Sequence, residues 1–203
     1  MNDRWTSQEV VDVSGPAYNV RNYNEQTSVR EFMKRAAERH TIKRACDVGC
    51  GYGRLTMVLS EMAEFVAGFE REQSFVDEAG RLLPNVYFVR VDALDDLPAA
   101  PGSFDFALTF TVLQHLTDTR AHALIEELKR IVGQGSVLIV EETDPTLEAG
   151  DPKSGYIKGR SVTSYEEMMR PWQLVAQQKR LIEPGYTRAD VGSYMLFCSA
   201  EQM

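Results

Sequence analysis

The stretch Ala45-Cys46-Asp47-Val48-Gly49-Cys50-Gly51-Tyr52-Gly53-Arg54 constrains the fold more than any other part of the chain. A short apolar segment ends in an acid, opens into alternating glycines and runs on into Leu55, Val58, Leu59 and Met62, which reads as strand, tight loop and helix. Glycine at 49, 51 and 53 permits positive φ and leaves no Cβ between the turn and a ligand pressed against it. This is the layout of the first βα turn of a nucleotide-binding α/β sheet. The spacing is Gly-x-Gly-x-Gly, however, and Arg54 stands where a dinucleotide fingerprint has its third glycine.

Two more acids follow at predicted strand ends. Phe65 to Glu70 reads as a second strand whose final acid falls roughly 20 residues after the glycine turn, where a carboxylate accepts ribose hydroxyls. Val86 to Val91 reads as a third strand, followed at a similar interval by Asp92-Ala93. Asp47-Val48-Gly49-Cys50-Gly51-Tyr52-Gly53 resembles the glycine-rich motif of class I S-adenosylmethionine-dependent methyltransferases, and in motif order the resemblance covers roughly residues 28 to 200. It implies a Rossmann-like three-layer α/β/α sandwich around a seven-stranded, mostly parallel sheet with strand seven antiparallel. It also implies S-adenosyl-L-methionine as cofactor. The tail of that molecule would thread past Asp47, Gly49, Gly51 and Gly53, with Glu70 on the ribose and Asp92 and Ala93 on the adenine. Thr111 and Val112 would lie beside the methionine amino group and the methyl. Other readings of the glycine turn are a different doubly wound protein, a dehydrogenase (disfavoured by Arg54), or a non-catalytic cofactor-binding or scaffold module.

The rest of the chain bounds these readings. At 203 residues, 43% hydrophobic and 26% charged, it suits one domain with a full core, arranged as an N-terminal arm over 1–27 and a main body over 28–203. No apolar run approaches the ~20 residues that span a bilayer, and Met1-Asn2-Asp3-Arg4-Trp5 does not begin a signal peptide, so the expectation is a cytoplasmic protein without a membrane partner. The net charge of −8 without a basic stripe lacks the footprint of a nucleic-acid binder. Cys46, Cys50 and Cys198 match neither a disulfide framework nor a metal pattern, and free, buried thiols are expected. A monomer and a homodimer are both compatible with this composition.

Further elements follow in order. Val29, Phe32, Met33, Ala36 and Ala37 mark a helix over 28–40, with His40 at its C-terminal end where a cation complements the dipole. Ser74 reads as the N-cap of a helix ending near Pro84, and Phe104 to Phe110 as strand four. Ala121 to Val132 reads as a helix and Ser136 to Glu141 as strand five. A long Gly/Pro/Asp-rich loop then runs to about Arg160, suited to a lid or substrate loop. Ser164 reads as the cap of a short helix, and 173–180 with 192–198 as a closing hairpin.

By the resemblance, Thr111 to Leu116 is the reaction centre. It lacks the (Asp/Asn/Ser)-Pro-Pro-aromatic turn of amino-methylating DNA enzymes, the Pro-Cys of cytosine-C5 enzymes and the paired glutamates of arginine methyltransferases. The implied acceptor is the O or N of a small molecule. His115 is the first choice as base because imidazole titrates near neutrality, though it could equally only hydrogen-bond its neighbours. Glu141 and Glu142 are the second choice, orienting an acceptor group. Tyr18 and Tyr23 in the arm, and Tyr156 and Arg160 in the long loop, are the expected acceptor contacts; for the arm, the alternative is a loosely packed extension. Tyr52 could offer a π face to the cofactor or simply cover the loop.

Overall fold

The computed structural model describes residues 16–150, 156–180 and 192–200 and, within them, all side chains except those of 16–20 and of Glu142. In chain order the elements are α1 (Pro16–Ala37), β1 (Arg44–Val48), α2 (Thr56–Ser60), β2 (Phe65–Glu70), α3 (Gln73–Leu82), β3 (Tyr87–Arg90) and β4 (Phe106–Phe110). A short 3-10 turn, Leu113–His115, leads to α4 (Asp118–Val132), β5 (Ser136–Glu142), β6 (Glu148–Ala149) and β7 (Ile157–Lys158). The chain then continues through α5 (Val162–Met169), β8 (Gln173–Lys179) and β9 (Gly192–Cys198).

Seven strands form one sheet in the order β3-β2-β1-β4-β5-β9-β8. The pairs from β3 to β5 are parallel, and β9 is antiparallel to both β5 and β8. This is the expected Rossmann-like sheet with an antiparallel last strand. Because helices cover both faces, the central strands are apolar on both sides instead of alternating. Phe106, Leu108 and Phe110 of β4 join Val29, Phe32, Met33 and Ala36 of α1 and Val58 and Leu59 of α2 in one layer. Ala107 of β4 faces the opposite layer, with Leu124, Ile125 and Leu128 of α4 and Tyr165 and Met169 of α5. The three cysteines are buried and unbridged. Among the described residues, no helix is long and apolar enough to cross a membrane.

Local signals account for the boundaries that differ from those predicted. Helix α1 begins at Pro16, not Ser28, so much of the expected arm is helical. Its first half carries no apolar stripe, and polar pairs one turn apart support it instead: Arg21 Nε donates to Glu25 Oε1 at 2.8 Å and Gln26 Nε2 to Asn22 Oδ1 at 3.3 Å. Proline suits the first helical position because its missing N–H has no intrahelical partner there anyway. At the other end α1 stops at Ala37, and His40 lies beyond it. Its Nε2 meets Ser136 Oγ at 2.7 Å, which ties the helix exit to β5. Ser74 lies inside α3, whose N-cap is Glu72. Helix α5 is capped by Ser161, whose hydroxyl accepts the Ser164 N–H at 3.1 Å. The long loop after β5 contains its own two-stranded hairpin, β6–β7.

Phe32 fixes α1 to the sheet: it is fully buried and stacks on Tyr194 of β9 at 5.6 Å between ring centroids. Phe32→Ala should cost about 3–5 kcal/mol, read as a lower urea midpoint with an unchanged denaturant slope.

Candidate active site

The glycine loop has the backbone its sequence requires. Gly49, Gly51 and Gly53 have φ of +78°, +53° and +84°, and the Gly49 N–H donates to Phe69 O at 2.8 Å. The three are not equivalent. A Cβ on Gly49 would collide with Val112 Cγ2, and one on Gly53 would press on Leu83 and Phe88, whereas nothing lies within 4 Å of one on Gly51. Gly49 and Gly53 are therefore glycines for packing, and Gly51 is where the backbone presents itself to open space.

Two of the three predicted acids hold this loop. Glu70, buried at the end of β2, accepts the Gly51 N–H through Oε2 at 2.9 Å and the N–H groups of Arg71 and Glu72 through Oε1 at 2.6 and 3.1 Å. Asp47 is buried on the neighbouring strand and accepts the Thr56 hydroxyl at 2.6 Å. Burial pushes its carboxyl up to about 7 against the pull of that hydrogen bond and of Arg54. The third acid differs. Asp92 stands at the same edge of the sheet, just past the Arg90 that pairs in register with Glu70, but its side chain is 88% exposed and ion-paired to Arg90. Ala93, half-buried, follows it into the next loop.

At the end of β4 the chain turns through Thr111, whose φ of +55° is the one positive value on a non-glycine among the described residues. Left-handed backbone costs a residue with a Cβ roughly 1–2 kcal/mol, so surrounding contacts must enforce it. They do so from two sides. The Thr111 N–H donates to Val140 O at 2.7 Å. The next three N–H groups converge on one carboxylate: Val112 and Leu113 donate to Glu141 Oε1 at 2.8 and 2.9 Å, and Gln114 to Oε2 at 3.0 Å. Arg160 takes the carbonyls, through Nη1 to Leu113 O at 2.8 Å and Nη2 to Leu116 O at 2.6 Å, while its Nε reaches Asp118 at 3.0 Å.

These contacts revise two expectations. Glu141, fully buried with both oxygens engaged by backbone, supports the tip of β4 and does not face an acceptor. Arg160 is also buried and grips the same tip from the other side, which leaves it no place as a handle for an anionic group. Tyr156 is 8% exposed, and its hydroxyl donates at 2.9 Å to Oε1 of Glu148, an exposed residue of β6. Its carbonyl matters more, accepting from His115 Nδ1 at 2.8 Å. A carbonyl only accepts, so the proton sits on Nδ1 and the lone pair on Nε2. Burial holds the imidazole below its ordinary range, against the pull of the Tyr156 carbonyl. Tyr23 projects from α1 at 70% exposure, Tyr18 falls in the first turn of α1, its side chain outside the described residues, and the Tyr52 ring meets Phe75 edge-on at 6.4 Å. The side chain of Glu142 is outside the described residues. Thr56 and the Val112 contact with Gly49 had no signal in the sequence; Glu25, which pairs with Arg54 at 2.6 Å, had only its spacing to Arg21.

Known proteins share this fold. A family model described as a methyltransferase domain matches residues 45–135. The chain is 28% identical over 154 residues to trans-aconitate 2-methyltransferase of Rhizobium etli, covering 74% of this chain and 54% of that one. It is 34% identical over 123 residues to an uncharacterized 37.1 kDa protein in transposon TN4556 of Streptomyces fradiae, covering 58% and 35%. N-methyltransferase NodS from Bradyrhizobium japonicum, solved with S-adenosyl-L-homocysteine, superposes with a TM-score of 0.69 at 14% identity, covering 98% of this chain and 93% of that one. The chain spans between about a third and a half of the length of the curated relatives it matches. The matched segment, residues 45–135, carries the glycine loop and strands β1 to β4, and over it the chain is similar to methyltransferase domains.

Two outcomes follow from the loop and from its buried acid. Gly49→Ala should destabilise the fold more than Gly51→Ala, because both incur a left-handed penalty of about 1–2 kcal/mol but only position 49 adds a collision; thermal unfolding of the two variants reads the order. Asp47 retains a proton up to about pH 7 in the fold, whereas a free aspartate loses it near 4. The native state therefore binds more protons than the unfolded chain between those limits, and this group's contribution falls as pH rises through the window. The drop in stability between pH 5 and pH 8 should be smaller in Asp47→Asn by about 1 kcal/mol or more, measured by urea titration.

Proposed function

We propose that the protein transfers a methyl group from S-adenosylmethionine to an oxygen or nitrogen of a small-molecule acceptor, with His115 receiving the acceptor's proton. The observation that carries this reading is the junction of the glycine loop with the tip of β4, where Val112 packs onto Gly49 while Gly51 faces open space. The donor set suits the cofactor. Glu70 fixes Gly51 and keeps one acceptor site on Oε2 for a ribose hydroxyl, and Asp47 lies beside the loop as a carboxyl able to answer an ammonium. To Asp92 and Ala93, on the rim past β3, we assign the adenine.

When bound, the cofactor supplies a methyl group on a cationic sulfur. The chain's own task is to bring the acceptor in line with it, and orientation in a dry site can supply several kcal/mol of the barrier. Thr111, held by Val140 O, and Val112, held by Glu141, form the floor on which that alignment depends. His115 stands three residues beyond Val112 with Nε2 unprotonated and 3.4 Å from the Gln114 side-chain amide nitrogen, and its lowered pKa favours the neutral ring that a base requires. The residues before Ser28 cover the loop exit, since Asn22 Oδ1 accepts from Arg54 at 3.0 Å and Gln26 Nε2 donates to Arg54 O at 3.4 Å. The relative named for trans-aconitate and the neighbour named an N-methyltransferase support a small acceptor, and the net charge of −8 disfavours nucleic acid.

Calorimetry should show S-adenosylhomocysteine binding and no binding of NAD, and mass spectrometry of a metabolite panel incubated with the cofactor should show a product heavier by one methylene. Binding without any product would make the protein a cofactor-binding module. His115→Ala should lower turnover by roughly tenfold or more while cofactor affinity stays within about twofold.

A further inference from the structure

The charges around Glu25, on the α1 side of the sheet, form a cluster larger than the single pairs described so far. Glu25 of α1 is 5% exposed and accepts three guanidiniums. Its Oε1 takes Arg180 Nη2 at 2.6 Å and Arg21 Nε at 2.8 Å, and its Oε2 takes Arg54 Nη1 at 2.6 Å. Burial opposes ionisation of Glu25, yet Arg54, Arg21 and Arg180 together hold its carboxyl below the usual range. Among the described residues, Glu25 is the one carboxylate ion-paired with Arg54 and Arg180, and it is shared with Arg21 as well, so three positive charges meet one negative charge where the Arg180 side chain is only 9% exposed. Removing charge from water without full compensation is costly, and a cluster that served only to fasten α1 would be cheaper with a single arginine.

The position of the cluster is as telling as its charge. Arg54 directly follows Gly53, and both Arg54 and Arg180 lie over the ring of Phe110, at 5.5 and 5.2 Å from its centroid. Phe110 is the last residue of β4, immediately before Thr111. Arg180 also reaches the end of β5: its N–H donates to Gly192 O at 2.7 Å, and Gly192 pairs with Glu142. The forks are held in place by Glu25, by Asn22 and by the aromatic ring, and a guanidinium has more N–H donors than these bonds engage.

We propose that Arg54 and Arg180, aligned by Glu25 on Phe110, bind a carboxylate of the methyl acceptor and so select acidic acceptors. This assignment rests on the methyl-transfer reading above. A planar carboxylate matches the paired N–H donors of a guanidinium and would supply the missing negative charge. The same chemistry could in principle come from the cofactor's own carboxylate, and affinity measurements separate the two sources.

The test uses the full chain saturated with S-adenosylhomocysteine and tricarballylate as the probe, with its triamide as the neutral control. Wild type should bind tricarballylate and not the triamide. Arg180→Gln should weaken the acid by about tenfold or more while S-adenosylhomocysteine affinity stays within about twofold. Glu25→Gln removes the internal competitor and keeps the shape of the side chain, so it should tighten the probe by about threefold or more; a purely structural clamp predicts no gain. Loss of cofactor affinity in Arg180→Gln with the probe unaffected would overturn the proposal, as would equal binding of acid and triamide or no binding of either. If S-adenosylhomocysteine itself fails to bind wild type, the methyl-transfer reading fails first. If it binds and methylated products form equally well from neutral and acidic compounds, only the carboxylate site is lost.

Discussion

The arrangement depends on one carboxylate buried under a turn of backbone. Beyond Phe110 the chain leaves the sheet through a left-handed residue, and the next three amides point inward where water cannot satisfy them. Left unpaired, each would cost on the order of 1–3 kcal/mol. Glu141 accepts all three, and the Arg160 guanidinium takes carbonyls from the same few residues. Burial raises the Glu141 carboxyl to about 7 even though each backbone hydrogen bond favours its charged form. A side chain on β5 thus determines the path of the segment that leaves the neighbouring strand.

That segment is coupled to the glycine loop by shape. Val112 fills the space left by the missing Cβ of Gly49, while Glu70 and Asp47 fix the far side of the loop through Gly51 and Thr56. The parts of the site come from four consecutive parallel strands but behave as one body, since each is tied to a neighbour by backbone or a buried polar contact. His115 belongs to the same body through the Tyr156 carbonyl, so the β6–β7 hairpin influences which ring nitrogen carries the proton. Hairpin and imidazole move together or the tautomer is lost.

What the sequence revealed and what it hid follow a physical division. The strands were legible because a sheet covered on both faces leaves continuous apolar runs; Phe65–Glu70 and Gly192–Cys198 stand where those runs predicted. The glycines were legible because positive φ restricts residue type. Helix α1 was only half legible, since ion pairs and a proline support residues 16–27 without any apolar period. The sequence points to Ser164 as the cap of α5, but the helix starts three residues earlier, where Ser161 accepts the Ser164 N–H. Glu141 and Arg160 show the deeper difficulty: an acid at a strand end can face a cleft or a bundle of distant amides. That choice is made by residues about 28 positions away along the chain.

The order of the last two sheet strands has a consequence for how the chain is built. Strand β9 sits between β5 and β8 although it follows both in sequence, and all seven of its residues are buried. During synthesis the growing sheet must therefore wait with the margin of β5 bare, and β8 has nothing to join until β9 has threaded into the gap. An uncovered hydrogen-bonding margin invites pairing with other nascent chains. The final strand is thus a keystone in time as well as in space, and the exposure of that seam lasts as long as the ribosome takes to reach it.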